Sequence, residues 1–209
     1  MKVNVSNIFL KDGNKAAEKI AGLAVKNKYV LRQVLEGAVS ANKRVKNASA
    51  KCLREVSRTN PKTLYHEFDF FVKLINGDDT ILKWNAIEVL SNLTEVDTDN
   101  KFKGKILNKY IALISDESMV TAANTITALG KVALYKPRFR KKITEELVKV
   151  DTLHYSPECR NILVGKALDA FGNYIDEMKN IKEIKALAEK HLKNKRNATS
   201  KKAERILRI

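Results

Sequence analysis

Two side chains of chemically useful type stand four residues apart: Trp84, the only tryptophan, and Glu88. On a helix that spacing puts the indole and the carboxylate on one face. There a flat ring could stack on a ligand while the acid balances a cation. No aromatic residue holds the equivalent place elsewhere in the chain, so the pair stands alone. The other reactive types are dispersed. His66, His154 and His191 lie far apart with no accompanying nucleophile, and a nucleophile needs a base within hydrogen-bonding reach. Cys52 occupies an apolar slot and reads as a small core residue. Cys159 has no partner near it, and two cysteines make no disulfide framework. The neighbourhood of His154 and Cys159 supplies too few ligands for zinc. The eight glycines are scattered and build no phosphate-cradling loop. Neither a catalytic residue, a metal nor a cofactor is expected.

Basic residues are what the chain has in quantity. Forty Lys and Arg against 24 Asp and Glu give a net charge of +16, a field that favours nucleic acid, anionic surfaces or acidic proteins. Lys101, Lys103, Lys105 and Lys109 form one cluster, and Lys136, Arg138, Arg140, Lys141 and Lys142 a second. A third runs from Lys182 to Arg208, ten basic residues against three acidic, and includes Lys195, Arg196, Lys201 and Lys202. The clusters recur at repeat-related places, so stacked repeats would align them into a stripe. Such a stripe follows a phosphate chain, each neutralised phosphate releasing a counterion. A solvated outer face with cationic helix ends is the plainer reading. Aromatic residues are sparse among the clusters, which argues against base stacking.

The elements that must carry these groups show in a motif of about 13 residues that starts at Val45, Leu82, Thr121, Leu163 and Thr199, a spacing typical of stacked repeats. Its fifth slot is small: Ser49, Ala86, Thr125, Ala167 and Ala203. Its ninth is large and apolar: Leu53, Leu90, Leu129, Phe171 and Leu207. Slots 5, 8, 9 and 12 share one helical face. A second amphipathic set lies between the copies, including Leu64, Phe68, Phe71 and Ile75. Pro61, Pro137 and Pro157 are expected at first helical positions, with Asn60 and Ser156 as N-caps. Gly130 and Gly172 share slot 10 and are expected at close helix contacts. No alternating pattern calls for a strand. The expectation is an all-α fold, a right-handed α-solenoid of about five helical hairpins in a single domain, residues 1–209. Residues 1–41 would form an irregular N-terminal cap and first helices, with second helices near 45–57, 82–94, 121–134, 163–175 and 199–208.

The segments VKNASAKCL, LKWNAIEVLSNL and LVGKALDAFGNY resemble the second helix of HEAT repeats of the short prokaryotic type, and the resemblance runs from about residue 14 to the C-terminus. The family's Arg in slot 2 is replaced by Lys46, Lys83, Ala122, Val164 and Ser200, which weakens the expected inter-repeat polar ladder. The family hosts scaffolds, transport factors and a few enzymes, so the resemblance speaks to the fold more than to the function. Slots 3, 4 and 7 then offer a mixed wall, Asn47, Lys51, Trp84, Asn85, Glu88, Asn124 and Lys166, suited to a peptide or helix. The reading is a non-enzymatic interaction scaffold for an acidic protein or other anionic partner; the alternative is a nucleic-acid-binding solenoid using the Lys and Arg clusters. Third stands a resemblance to HEAT-like alkylpurine DNA glycosylases, which place a carboxylate in an aromatic cleft. No transmembrane span is expected, and the N-terminus lacks the apolar centre of a secretory signal, so the location expected is cytoplasmic. The apolar face of the C-terminal helix leaves the oligomeric state open.

Overall fold

A computed structural model describes residues 3–209, which contain α-helices, short 3-10 turns and no strand. The chain divides into two compact units, Met1–Lys101 and Phe102–Ile209. The first contains α1 (Val5–Asp12), α2 (Ala17–Lys26), α3 (Lys28–Ala38), α4 (Lys43–Thr59), α5 (Phe68–Ile75) and α6 (Thr80–Leu93). In it α2, α4 and α6 form a row, with α3 packed on α2 and α4 and with α5 packed on α6. The second contains α7 (Gly104–Leu113), α8 (Met119–Tyr135), α9 (Arg140–Leu147), α10 (Pro157–Phe171), α11 (Lys182–Lys190) and α12 (Asn197–Leu207). There the row is α8, α10 and α12, with α7 and α9 against α8 and α11 against α12.

The five motif copies fall on α4, α6, α8, α10 and α12. Every fifth-slot residue is buried, as are the ninth-slot residues Leu53, Leu90, Leu129 and Phe171; Leu207, at the end of its row, is half-buried. The apolar stripe therefore faces the neighbouring helices, where its removal from water stabilises the stack. Polar side chains set the helix starts. Asn42 accepts from the N–H groups of Arg44 and Val45, Asp79 from Leu82, Ser118 from Thr121 and Ser156 from Cys159, each filling an orphan donor of a first turn.

The prolines divide. Pro157 begins α10 behind the Ser156 cap as expected. Pro61 and Pro137 instead open 3-10 segments, Pro61–Glu67 and Pro137–Phe139, that run into α5 and α9. Asn60 caps nothing there; its Oδ1 accepts from the Thr63 hydroxyl at 3.1 Å. The tighter 3-10 turn draws the side chain of the third residue onto Asn60 in place of a backbone N–H.

Close approach is the reason for two glycines in the row helices. A Cβ on Gly130 would lie 2.8 Å from the Ala170 Cα, and one on Gly165 would lie 2.8 Å from the Thr199 Oγ1. Gly172 does not behave as its slot suggests. It follows the end of α10, exposed, and a Cβ there would come no closer than 3.3 Å to the Asp169 carbonyl.

Side-chain bonds stitch successive helical pairs. The Ser57 hydroxyl accepts from Asn92 at 2.9 Å, Thr199 donates to the Asn161 carbonyl at 2.8 Å, and Thr144 meets the Tyr174 hydroxyl at 2.9 Å. Slot 2 does form a polar rung where Lys46 reaches across to Asp79, the cap of α6. In the second unit the same slot holds Ala122 and Val164, both fully buried, so apolar contact replaces the rung. Burial alone would raise the Asp79 carboxyl, but Lys46 and the backbone N–H groups of Leu82 and Ile81 bring it below the ordinary range.

G130A loses about 1–3 kcal/mol to overpacking against the α10 backbone, whereas G172A is neutral or stabilising by up to about 1 kcal/mol; urea unfolding midpoints measure both. D79N keeps a cap but removes the pair, whose side chains are 20% (Lys46) and 33% (Asp79) exposed, so its cost at neutral pH is below about 1 kcal/mol. The depressed Asp79 contributes above its unfolded value and less as pH falls through its folded value. The deficit of D79N relative to the parent therefore closes in acid, read from unfolding curves between neutral pH and about pH 3.

Candidate functional site

In the first unit the row helices bring together a cluster that the spacing of Trp84 and Glu88 only half reveals. Arg54 of α4 crosses to α6, its guanidinium carbon 5.3 Å from the centre of the Trp84 ring. Its Nε stands 3.7 Å from the Glu88 carboxylate, with both side chains about 30% exposed (29% and 31%). The ring is half-buried, so the indole keeps one part in contact with solvent while the guanidinium stacks over it. Arg54 occupies slot 10, one turn beyond the slot-7 position of Lys51, an i+3 relation that places it on the same face of α4 without revealing its contact with Trp84. Lys51 is half-exposed and donates to the Asn14 carbonyl at 3.3 Å.

The amides of the expected wall are less available. Asn85 is buried at 5% exposure and donates to the Ile81 carbonyl, one turn back, at 2.7 Å. Asn47 is half-buried, with its Oδ1 enclosed and without a partner. In the second unit Asn124 donates to the Val120 carbonyl at 2.9 Å, and Lys166 is half-exposed. Asn85 therefore belongs to the interior, because slot 4 turns toward the neighbouring helices. The part of the wall in the first unit that keeps contact with solvent reduces to the half-exposed Lys51, Trp84 and Glu88, joined by Arg54.

The basic clusters separate into side chains the fold uses and side chains it leaves in water. Lys101 lies 4.7 Å over the Tyr65 ring, and its N–H donates to Asp97, whose carboxylate also accepts from the Tyr65 hydroxyl. Burial, then Asp97, pushes that phenol up to about 12. Lys136 is buried. Arg140 is only 13% exposed and donates to the carbonyls of Ala133 and Leu134, closing the end of α8, and to Glu177 at 2.6 Å. Arg196 faces Glu158 at 3.5 Å, and Lys202 shares Asp169 with Arg205. Arg138 stacks on Phe139 and donates to the Phe102 carbonyl, and Lys142 donates to Asn108. Lys103, Lys105, Lys195 and Lys201 are exposed, Lys109 is half-exposed, and none of them has an ion pair among the described residues; Lys141 makes only a 4.0 Å contact with Glu145.

Burial and the nearby Glu55 push the Cys52 thiol up to about 12, so it stays protonated and inert. His154 is exposed and rests on Tyr155, their ring centres 4.0 Å apart. His191 lies 3.5 Å from Asp151 and contacts Asn194, tying α11 to its neighbours. Among the described residues no group of three or more His, Cys, Asp or Glu could hold a metal, and no helix is long and apolar enough to cross a membrane.

No protein-family model and no curated protein sequence matches the chain. Solved structures do. A designed armadillo repeat protein in complex with the peptide (KR)4 aligns over 98% of this chain and 89% of its own, at 15% identity and a TM-score of 0.67. Computationally designed armadillo repeat proteins for modular peptide recognition align over 93% and 91%, at 15% identity and a TM-score of 0.62. An engineered protein aligns over 99% and 98%, at 16% identity and a TM-score of 0.62. The fold is that of an all-α, armadillo-like repeat solenoid.

The division of the basic residues is measurable. R140A removes charged hydrogen bonds to two α8 carbonyls and lowers stability by about 1.5–3 kcal/mol. K105A, in water, stays within about 0.5 kcal/mol of the parent. Chemical denaturation of the two variants side by side tests the contrast.

Proposed function

We propose that the chain is a non-enzymatic interaction scaffold that binds an acidic protein segment along the row helices of its first unit, anchored on Trp84. The half-buried indole under Arg54, with Lys51 beside it on the same face, carries this reading. A rigid aromatic with a charged companion is the usual composition of an interface anchor. The same fold in designed proteins is described as serving modular peptide recognition. Charge decides the sign of the partner. One of those neighbours holds a basic peptide, (KR)4; a chain of net charge +16 repels such a ligand and attracts an acidic one. Glu88 tempers the positive field locally, but its carboxylate faces Arg54. That pairing also weakens the glycosylase resemblance, which calls for a carboxylate directed at a cationic sugar or base.

Selection from a displayed random-peptide library tests the reading. Peptides rich in Asp and Glu with at least one apolar residue should be enriched on the parent. W84A should bind them at least about tenfold more weakly, the loss expected of an interface anchor. K51E should weaken them as well, with unfolding midpoints unchanged. Enrichment of basic peptides, or equal binding by parent and W84A, overturns it.

A further inference from the structure

We propose that residues 102–209 carry a second binding surface, made of other residues than the Trp84 cluster: a sequence-independent seat for the phosphate backbone of double-stranded nucleic acid, at the starts of α7 and α9. It does not rest on the peptide-binding reading.

The positive excess of the chain is concentrated in this unit. Residues 102–209 hold 23 Lys and Arg against 12 Asp and Glu, while residues 1–101 hold 17 against 12. Two side-chain bonds place the starts of α7 and α9 together. Arg138 donates to the Phe102 carbonyl at 3.2 Å, which puts it beside Lys103, and Lys142 donates to Asn108 at 2.7 Å, one turn from Lys105. Lys103, Lys105, Arg138, Lys141 and Lys142 are all exposed. No acidic residue lies in the first turn of either helix, and neither helix has a side-chain cap. The acids of α9, Glu145 and Glu146, lie at its far end, and Asp116 and Glu117 follow the far end of α7. Glu177 is taken up by Arg140 and Glu145 lies 4.0 Å from Lys141, while Lys103, Lys105, Arg138 and Lys142 have no ion pair among the described residues; the local balance is therefore positive, and the helix dipoles add to it where an anion would sit.

A phosphate chain fits this surface better than an acidic polypeptide does. The charges are spread across two adjacent helices, and the cavity beside the start of α9 is lined by Glu145, Glu177 and Glu183 as well as Met178 and Ile184, acids that would repel an acidic side chain seeking an anchor there. Unpaired bases would need exposed rings to stack on, but Phe102 is fully buried and Phe139 is half-buried beneath Arg138. What remains is backbone contact, which a duplex presents along its outside and which reads no sequence.

Fluorescence anisotropy tests this with a labelled DNA duplex of about 20 base pairs and an RNA duplex of the same sequence. Four to six phosphate contacts lower the affinity about a hundredfold to a thousandfold between about 50 and 200 mM salt. The variant K103E/K105E/K141E/K142E should lose measurable binding at the lower salt. K15E/K19E/K26E/K28E has the same net charge and alters exposed lysines of the first unit, and it should bind within a few-fold of the parent. Should the first variant unfold, K103Q/K105Q/K141Q replaces it and should flatten the salt slope by about three. W84A should bind duplex like the parent, so loss of the peptide reading leaves this one standing. Binding of both duplexes, or of only one, supports the proposal and identifies the source of the phosphates. It is overturned if neither duplex binds at the lower salt, if both charge-reversal sets weaken binding equally, or if polyglutamate displaces the duplex as well as unlabelled duplex does.

Discussion

The close approach of the row helices is the constraint from which the rest of this structure follows. Helices can touch at the backbone only where side chains nearly vanish. Here the chain places Gly130 against Ala170 and Gly165 against Thr199, and a Cβ on Gly37 would lie 2.3 Å from the Ser49 hydroxyl. Ser49 shows which property slot 5 selects: its hydroxyl is buried without a partner, an arrangement that costs free energy. Volume takes precedence over polarity at that contact. Once helices of successive pairs lie this close, their remaining side chains meet others roughly one repeat away. That explains why Lys46 finds Asp79, Asn92 finds Ser57 and Arg205 finds Asp169.

Much of the fold was legible because each buried slot repeats at helical spacing in every copy, and repetition averages out the noise of any one segment. Slots 5 and 8 are buried in all five copies, and Val56, Leu93, Val132 and Tyr174 of slot 12 are buried too. Positions used once were harder to read. Gly172 shares a slot with Gly130, yet α10 ends just before it, and a slot loses its meaning where the helix stops. Pro61 and Pro137 mark helix starts equally well for α and 3-10 geometry, since both leave the first N–H groups without partners.

The candidate site was legible in residue type but not in partnership. Trp84 and Glu88 announce themselves through their spacing on one helix. Arg54 does not, because its contact with them runs between helices and depends on how a long side chain crosses the gap. Arg140 makes the same point in reverse: it reads as one charge in a basic run, and its position behind Pro137 turns it into the closing group of α8. Lys101 and Lys202 are likewise absorbed by Tyr65 and Asp169.

What the fold leaves unabsorbed bears most directly on function. Helix α9 reads Arg140-Lys141-Lys142 in its first turn and Glu145-Glu146 in its last, so its charges oppose the helix dipole at both ends. Of its two Lys-to-Glu spacings at i,i+4, both in the weaker orientation, Lys141 with Glu145 barely closes at 4.0 Å and Lys142 turns instead to Asn108. A helix optimised for its own stability would carry the reverse order, as α6 begins to do with Asp79 at its cap. Arg140 accounts for one of the misplaced charges through its contacts with α8. Among the described residues the 4.0 Å contact with Glu145 is all that meets the charge of Lys141, and no ion pair meets Lys103 or Lys105 at the start of α7. Charges that lower the stability of the helix carrying them, and that are so little paired within the fold, are best explained by a partner outside it.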